Sequence, residues 1–221
     1  MDLFLGLILL LAVAYVGRKI WRYKTLRPLF PWKYNFGRRR DTFRATLALL
    51  DERNSHTLVE TGVARAGLAS TKSDGASTIV FGLWASQNRA HLYSVDIDSE
   101  AVACAQQVVD ELQLQDAVSL VVSDSIEYLR EFSEPVDFLY LDSYDYSNTD
   151  IEVQRASQQH HLDEFKAIEN KLHDNSVVLI DDCNLPGGGK GKLLVEYMTA
   201  NGWQLLRYAY QALLVRDSVD K

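Results

Sequence analysis

Acidic residues stand at the ends of four short apolar segments in this chain. They are Glu60 after TLV, Asp96 after LYSV, Asp142 after VDFLYL and the pair Asp181-Asp182 after VVLI. Burying a carboxylate without a partner is costly, so acids repeated at this position indicate a polar ligand or a cation. Because the carboxyl ends of parallel strands share one edge of a sheet, where ligands bind, these acids predict a single polar site.

The segments that must position these acids alternate between strand-like and helical patterns. Single helices separate the strands up to the sixth, which implies right-handed crossovers and a Rossmann-like, doubly wound α/β fold with a mainly parallel seven-stranded sheet. The last two strands have no helix between them and predict a C-terminal antiparallel hairpin. Strands are expected at 57–60, 92–95, 118–122, 136–141, 177–180, 203–208 and 212–215, and helices at 42–52, 77–86, 99–114 (capped by Ser99), 126–132, 157–172 and 190–201.

The N-terminal run LFLGLILLLAVAYVG, residues 3–17, carries no charge. As a helix it spans roughly 22 Å at about 1.5 Å per residue, and Ile20 and Trp21 extend it toward the ~30 Å hydrocarbon core. The run predicts one transmembrane helix in residues 1–24, followed by a basic juxtamembrane linker in 25–45 and a globular domain in 46–221. A cleaved signal peptide and a peripheral or buried helix are the alternatives.

The charge is distributed unevenly along the chain. Residues 1–44 hold ten Lys or Arg and two Asp, a net charge of +8, whereas the rest holds 13 basic and 28 acidic residues, a net charge of −15. An acidic body argues against nucleic-acid binding, whereas the basic neck with its run Arg38-Arg39-Arg40 suits a solvated face or an anionic membrane surface. Positive charge after the helix places the domain in the cytoplasm.

Three motifs resemble those of class I S-adenosylmethionine-dependent methyltransferases. They are E-T-G at the end of the first strand, V-D-I-D at 95–98 and S-D-S at 123–125, and the resemblance spans residues 57–215. An NAD enzyme would show a tighter glycine motif, whose second glycine is Ala64 here. The resemblance implies that Glu60 and Gly62 hold the methionine part, Asp96 the ribose hydroxyls, and Ser123, Asp124 and Ser125 the adenine, while Ser77 begins a helix whose N–H groups suit an anion.

The segments L-Y-L-D and V-L-I-D-D are similar to the metal-dependent macrocin and catechol O-methyltransferase-like group. The resemblance implies that Asp142, Asp181 and Asp182 hold Mg²⁺ or Mn²⁺, a hard cation that oxygen ligands suit. Such a cation lowers the pKa of an acceptor hydroxyl. The general base of those enzymes has no match here, so Asp145, His160 and His161 are the candidates, although adjacent histidines on a helix cannot both face the site.

Together these features predict a membrane-anchored, single-pass enzyme that methylates a hydroxyl oxygen of a small or lipid-linked acceptor on the cytoplasmic side, with homo-oligomerisation open. The alternatives are an N-methyltransferase or a hydroxylase-like relative, and a membrane-tethered scaffold that binds the cofactor without catalysis. The run Pro186–Lys192 does not have the spacing of a phosphate-binding loop, and it predicts a lid or a flexible connector.

Overall fold

The computed structural model describes residues 2–23, 26, 29–30 and 34–216. Within these residues, helices and strands alternate as the sequence patterns predict. The helices are α1 (Asp2–Tyr23), α2 (Arg40–Glu52), α3 (Ser77–Asn88), α4 (Ser99–Glu111), α5 (Ser125–Glu131), α6 (Ile151–Ile168) and α7 (Lys192–Ala200). The strands are β1 (Thr57–Thr61), β2 (His91–Asp96), β3 (Val118–Val122), β4 (Val136–Leu141), β5 (Leu172–Ile180), β6 (Trp203–Tyr208) and β7 (Ala212–Arg216).

The strands form one seven-stranded sheet in the order β3-β2-β1-β4-β5-β7-β6. The first five strands are parallel, and β7 is antiparallel to both β5 and β6. The Rossmann-like sheet with its C-terminal antiparallel hairpin is therefore confirmed. The strand order reverses between β1 and β4, so the crevice where ligands bind to such sheets lies at their carboxyl ends.

Each face of the sheet is covered by helices. The helices α2, α3 and α4 cover one face, where Phe43, Phe81 and Tyr140 are fully buried. The helices α5, α6 and α7 cover the other, where Phe165 packs edge-on against Trp203 with ring centroids 5.8 Å apart. Because both faces are covered, the central strands consist of continuous apolar runs.

Several element ends differ from the sequence patterns, and the differences at α4, α6 and β5 bear on how the chain is capped and paired. Asp98, and not Ser99, caps α4, because its carboxylate accepts a hydrogen bond from the Glu100 amide at 2.9 Å. Helix α6 begins at Ile151, six residues earlier than expected, because the Asp150 carboxylate caps it. Strand β5 begins at Leu172, so the expected end of the preceding helix is strand.

Helix α1 exposes apolar side chains on all sides. Residues Leu7, Ile8, Leu9, Leu10, Leu11, Val13, Tyr15 and Val16 are between 51% and 70% exposed. Across residues 2–23, 26, 29–30 and 34–216, no helix combines the length and the apolar character needed to cross a membrane. The expected transmembrane helix is therefore not found in this part of the chain.

The segment expected to be a juxtamembrane linker packs into the domain core where the structure describes it. Leu26, Phe30 and Phe36 are each at most 4% exposed, and Phe36 contacts Phe43 of α2 with ring centroids 6.1 Å apart. Arg39 is 5% exposed. The interpretation of the arginine run as a solvated or lipid-facing surface is therefore wrong for Arg39, because its guanidinium is bound inside the protein.

Candidate active site

A cavity of about 690 Å³ opens at the carboxyl ends of β2, β3 and β4. Its size suits one small-molecule ligand. Carboxylates, hydroxyls and exposed apolar surface share its walls, which is the mixture that a ligand with polar and flat apolar parts requires. It is lined by Arg65, Val95, Asp96, Ile97, Asp98, Asp124, Ser125, Ser143, Tyr144, Asp145, Val153 and His160.

Asp96 links the end of β2 to the loop after β1. Its Oδ2 accepts a hydrogen bond from the Val63 amide at 3.0 Å, and its Oδ1 accepts one from the Asp98 amide at 2.9 Å. Gly62 has φ +85°, and a Cβ there would lie 2.6 Å from the Asp142 carbonyl oxygen. Glycine therefore lets the loops after β1 and β4 meet beside Asp96.

Glu60 lies beneath this loop and does not line the cavity. It is fully buried, and its Oε2 accepts hydrogen bonds from Ser94 Oγ at 2.5 Å and Thr78 Oγ1 at 2.7 Å. Thr78 Oγ1 in turn accepts a hydrogen bond from the Ala64 amide at 2.8 Å. Burial raises the pKa of Glu60 to about 7, although the neighbouring hydroxyls oppose the shift. Glu60 thus supports the loop from below.

The other residues expected to bind the cofactor divide into two groups. Asp124 and Ser125 line the cavity together with Asp96, and Asp124 also caps α5 by accepting the Glu127 amide at 3.0 Å. Gly62, Ser77 and Ser123 are not among the lining residues. Ser77 is buried beside Glu60, and Ser123 Oγ donates to the Asp124 carbonyl at 3.2 Å.

His160 is the histidine that faces the cavity. Its Nε2 lies 3.3 Å from both Glu164 Oε1 and Ser125 Oγ. Glu164 is fully buried and also accepts a hydrogen bond from Ser143 Oγ at 2.7 Å. Burial lowers the pKa of His160, but the hydrogen bond and charge of Glu164 outweigh that effect and raise it. Although burial opposes it, His160 lowers the pKa of Glu164 to about 2.

The other two candidate bases occupy different environments. His161 is fully buried, its Nδ1 lies 2.8 Å from the Ser157 carbonyl oxygen, and burial lowers its pKa to about 4. Asp145 lines the cavity, but its side chain is 84% exposed and lies 3.4 Å from Arg65. Of the three candidates, His160 alone combines a place in the cavity wall with a buried carboxylate partner.

The three aspartates expected to bind a metal meet two basic side chains of the chain itself. Lys190 Nζ donates to Asp142 Oδ1 at 2.7 Å and lies 3.4 Å from Asp182 Oδ2. Arg39 Nε donates to Asp181 Oδ2 at 2.5 Å. Burial raises the pKa of Asp142 despite Lys190, and burial together with the charge of Asp142 raises the pKa of Asp181 to about 6.

This donor set does not fit a divalent cation. Asp181 is fully buried, and its two carboxylate oxygens already accept hydrogen bonds from Arg39, the Tyr140 hydroxyl and the Asp182 amide. In the part of the chain that the structure describes, no group of His, Cys, Asp or Glu side chains is arranged to hold a metal ion. The predicted metal site is therefore not found there. Protein donors use oxygens of Asp142 and Asp181 that a cation would need, whereas the buried Asp182 Oδ1 has no hydrogen-bond partner among the described residues.

The glycine-rich run after β5 brings Lys190 to the carboxylates. Gly189 has φ +67°, and a Cβ there would overlap the Asp182 carbonyl oxygen. Gln158 Nε2 of α6 donates to the carbonyls of Gly187 at 3.2 Å and Gly189 at 3.1 Å. The glycine-rich run is thus held against α6, and it places the buried ammonium group of Lys190 beside the carboxylates.

Sequence reasoning missed Arg39, Ser143, Glu164 and Lys190. Glu164 follows His160 by one helical turn, so the spacing of these two residues was a usable signal. No local pattern pairs Arg39 with Asp181, because 142 residues separate them. Lys190 was considered as part of a lid or flexible connector and as the start of the last expected helix, and not as a partner of the aspartates.

Several solved structures that share this fold are methyltransferases. An S-adenosylhomocysteine-bound methyltransferase from Podospora anserina is 13% identical, with a TM-score of 0.60 over 90% of this chain and 86% of that chain. An O-methyltransferase from Bacillus cereus, in complex with S-adenosylhomocysteine, is 14% identical, with a TM-score of 0.58 over 80% of this chain and 81% of that chain. A methyltransferase from Geobacter sulfurreducens is 16% identical, with a TM-score of 0.53 over 80% of this chain and 78% of that chain.

Sequence comparison agrees with the fold. No curated protein matches the chain at a significant level. Residues 72–183, half of the chain, match the methyltransferase-domain family. This match includes Asp96, Asp124 and His160 of the cavity and the aspartates that bind Arg39 and Lys190. The chain therefore belongs to the methyltransferase-domain family, and its class I fold is that of S-adenosylmethionine-dependent methyltransferases.

Proposed function

We propose that this protein transfers a methyl group from S-adenosylmethionine to a hydroxyl oxygen of a small or lipid-linked acceptor. The observation that carries the proposal is the cavity in which Asp96 and Asp124 share a wall with His160 and its buried partner Glu164. The part of the wall that contains Asp96 and Asp124 suits a nucleoside, and the part that contains His160 suits removal of a proton. The family match and the relatives in complex with S-adenosylhomocysteine support the choice of methyl donor.

The cavity wall fits the chemical groups of S-adenosylmethionine. The Asp96 carboxylate is an acceptor for the two ribose hydroxyls, and Asp124 with Ser125 suits the polar edge of adenine. Ile97 is 73% exposed and Tyr144 42% exposed, and both line the cavity, so they offer apolar surface to a flat ring. When bound, S-adenosylmethionine supplies an electrophilic methyl group on its sulfonium.

His160 is the base in the proposed reaction. With Nε2 hydrogen-bonded to Glu164, the other ring nitrogen, Nδ1, accepts the proton of the acceptor hydroxyl. The oxygen–methyl bond forms while the sulfur–methyl bond breaks, and the proton stays on the imidazole. The buried Glu164 carboxylate orients the ring and stabilises the imidazolium, as its effect on the pKa of His160 indicates. No step passes through a metal ion, because the aspartate set does not fit one.

The test is transfer of isotope-labelled methyl from S-adenosylmethionine to a panel of alcohols, phenols and amines. His160→Gln is expected to lower kcat roughly 10²- to 10⁴-fold with little change in cofactor affinity. The matched control is His56→Gln, which removes an exposed histidine outside the cavity. Transfer to amines alone would favour the N-methyltransferase alternative, and cofactor binding without transfer to any acceptor would favour the scaffold.

We also propose that α1 attaches the domain to a membrane and so raises the local concentration of a lipid-linked acceptor. The support is the apolar surface of α1, since seven of its aliphatic side chains are more than half exposed: Leu7, Ile8, Leu9, Leu10, Leu11, Val13 and Val16. Exposed apolar area of this extent is favoured in a lipid environment. The basic residues that follow α1 suit an anionic surface, on the cytoplasmic side.

Membrane attachment is measured by sedimentation of the full chain with anionic phospholipid vesicles. The wild-type protein is expected in the pellet, and the combined change of Leu9, Leu10 and Leu11 to Gln is expected to move it to the supernatant. Leu206→Gln, which removes an exposed leucine from β6, is the control. Wild-type protein that stays in the supernatant would refute attachment. If the protein is in the pellet, release by alkaline carbonate would indicate a helix at the membrane interface. Protein that alkaline carbonate does not release would indicate a helix that spans the membrane.

A further inference from the structure

Three carboxylates and two cations lie together at the carboxyl ends of β4 and β5. Asp142, Asp181 and Asp182 supply the negative charge, and Arg39 and Lys190 supply the positive charge. Both basic residues are buried, with Lys190 4% and Arg39 5% exposed. Buried cations of this kind are costly unless carboxylates compensate them, so each sign of charge requires the other.

Lys190 lies between the carboxylates of two loops. Its Nζ donates to Asp142 Oδ1 at 2.7 Å and to the Asp142 carbonyl at 3.4 Å, and Asp182 Oδ2 is 3.4 Å away. These three oxygens match the three protons of an ammonium group. The ammonium therefore takes the oxygen ligands that a small hard cation would use.

Arg39, which precedes α2 near the start of the domain, contacts the same group of carboxylates. Its Nε donates to Asp181 Oδ2, its Nη1 donates to the Ser73 carbonyl at 2.8 Å, and its Nη2 lies 3.9 Å from Asp182 Oδ1. Its guanidinium also lies 4.7 Å from the centre of the Tyr210 ring. These contacts with Asp181, Asp182, the Ser73 carbonyl and the Tyr210 ring hold the guanidinium in place within the site.

We propose that Lys190 and Arg39 are internal counter-ions that replace a divalent cation at this sheet edge. Lys190 is a positioning residue, which holds the loops after β4 and β5 together beside the cavity so that methyl transfer proceeds without Mg²⁺ or Mn²⁺. This catalytic role rests on the proposed function. The counter-ion role does not, because metal binding and stability are measured without cofactor or acceptor.

The first experiment is titration of Mn²⁺ into the full-length wild-type protein, with free Mn²⁺ measured by electron paramagnetic resonance. We expect no binding below millimolar Mn²⁺. Binding at micromolar Mn²⁺ that Asp142→Asn abolishes would overturn the proposal. An asparagine oxygen can still ligate Mn²⁺, so binding that survives Asp142→Asn is tested again with Asp142 and Asp182 both changed to Ala. Loss of binding in that double variant would overturn the proposal, and binding that survives it lies at another site and agrees with the proposal.

The second experiment compares Lys190→Ala with Lys192→Ala, which removes an exposed lysine two residues away. Loss of the buried counter-ion is expected to lower the melting temperature by roughly 10 °C and Lys192→Ala by less than about 2 °C. Mg²⁺ is expected to restore part of the loss in Lys190→Ala and to leave the wild type unchanged. A Lys190→Ala protein that is as stable as the wild type without metal would overturn the proposal.

If Lys190→Ala does not fold, Lys190→Arg keeps the positive charge and decides the question. Melting of Lys190→Arg within about 5 °C of the wild type, with Mn²⁺ still unbound, supports a counter-ion. An arginine variant that is unfolded as well would show that the lysine acts through its shape and not its charge, which contradicts the proposal.

Discussion

Replacing Glu60 by glutamine tests the buried support beneath the cavity. Burial raises the pKa of this carboxyl from 4.5 to about 7. Its Oε2 accepts hydrogen bonds from Ser94 and Thr78, and the Ser77 side chain also contributes a hydrogen bond to the carboxyl, which opposes the rise in its pKa. The glutamine side chain would have the shape of the protonated acid but could not ionise.

The sign and size of the effect follow from proton linkage. The folded protein holds the Glu60 proton up to about pH 7, whereas the unfolded chain releases it near pH 4.5. Wild-type stability from this group is therefore fully present below pH 4.5 and is lost as the pH rises through 7. A shift of about 2.5 pKa units, at 1.36 kcal/mol per unit, corresponds to a loss of roughly 3 kcal/mol.

The assay is urea denaturation of wild type and Glu60→Gln at pH 4.5 and pH 8. The free energy of unfolding of the variant, minus that of the wild type, should rise by about 3 kcal/mol across this range. Other groups that titrate in this window, such as His161 and Asp181, are common to both proteins and cancel in the difference. The reasoning would be refuted if the difference in unfolding free energy between variant and wild type stayed constant between pH 4.5 and pH 8 within about 0.5 kcal/mol. It would also be refuted if this difference changed with pH no more than it does for the exposed control Glu131→Gln.

Three further changes test the backbone at Gly189, the pairing of His160 with Glu164, and the apolar core. Gly189→Ala should destabilise the fold by more than about 3 kcal/mol in denaturant unfolding, because its φ of +67° and ψ of −175° suit glycine and its Cβ would overlap backbone. Glu164→Gln should lower the pKa of His160, measured by NMR titration, because it removes the charge that raises this pKa. Phe43→Ala should cost about 3–5 kcal/mol, since the ring is fully buried between α2 and the sheet.

Each of these changes has a control or a contrary outcome. Gly202 also has a positive φ, +79°, but open space surrounds its Cβ position, so Gly202→Ala should cost only about 1–2 kcal/mol. Equal losses for both glycines would show that crowding at Gly189 is irrelevant. An unchanged pKa of His160 would remove Glu164 from the proposed mechanism. A small loss for Phe43→Ala would mean that α2 and the segment before it are peripheral to the core.

The strands were predictable because their apolar runs are bounded by polar residues and turns. β3, β4 and β6 have the bounds expected from these patterns, and the alternation with helices predicted the parallel sheet and its final hairpin. The helix start at Ile151 was missed because Asp150, the capping residue, follows a polar loop that hides the periodicity. Local patterns therefore position the elements better than they position the helix ends.

The site was predictable only in part. Acids at strand ends indicated the edge of the sheet at which the cavity opens, and Asp96, Asp124 and Ser125 line that cavity. The sequence does not show which group compensates an acid at the end of a strand. The acids after β4 and β5 therefore suggested a metal ion, whereas in the fold their partners are Arg39 and Lys190. These partners come from distant segments, and only the three-dimensional structure brings them together.

The most direct test of the central claim is calorimetric titration of the full chain with S-adenosylmethionine, without added metal. The account predicts micromolar binding that Asp96→Ala weakens roughly a hundredfold or more, because two hydrogen bonds to a charged group are lost at about 1.5–3 kcal/mol each. Asp110→Asn, a change on the exposed face of α4, should leave the affinity unchanged. A folded protein that gives no heat of binding, or that binds equally well after Asp96→Ala, would contradict the assignment of the cavity.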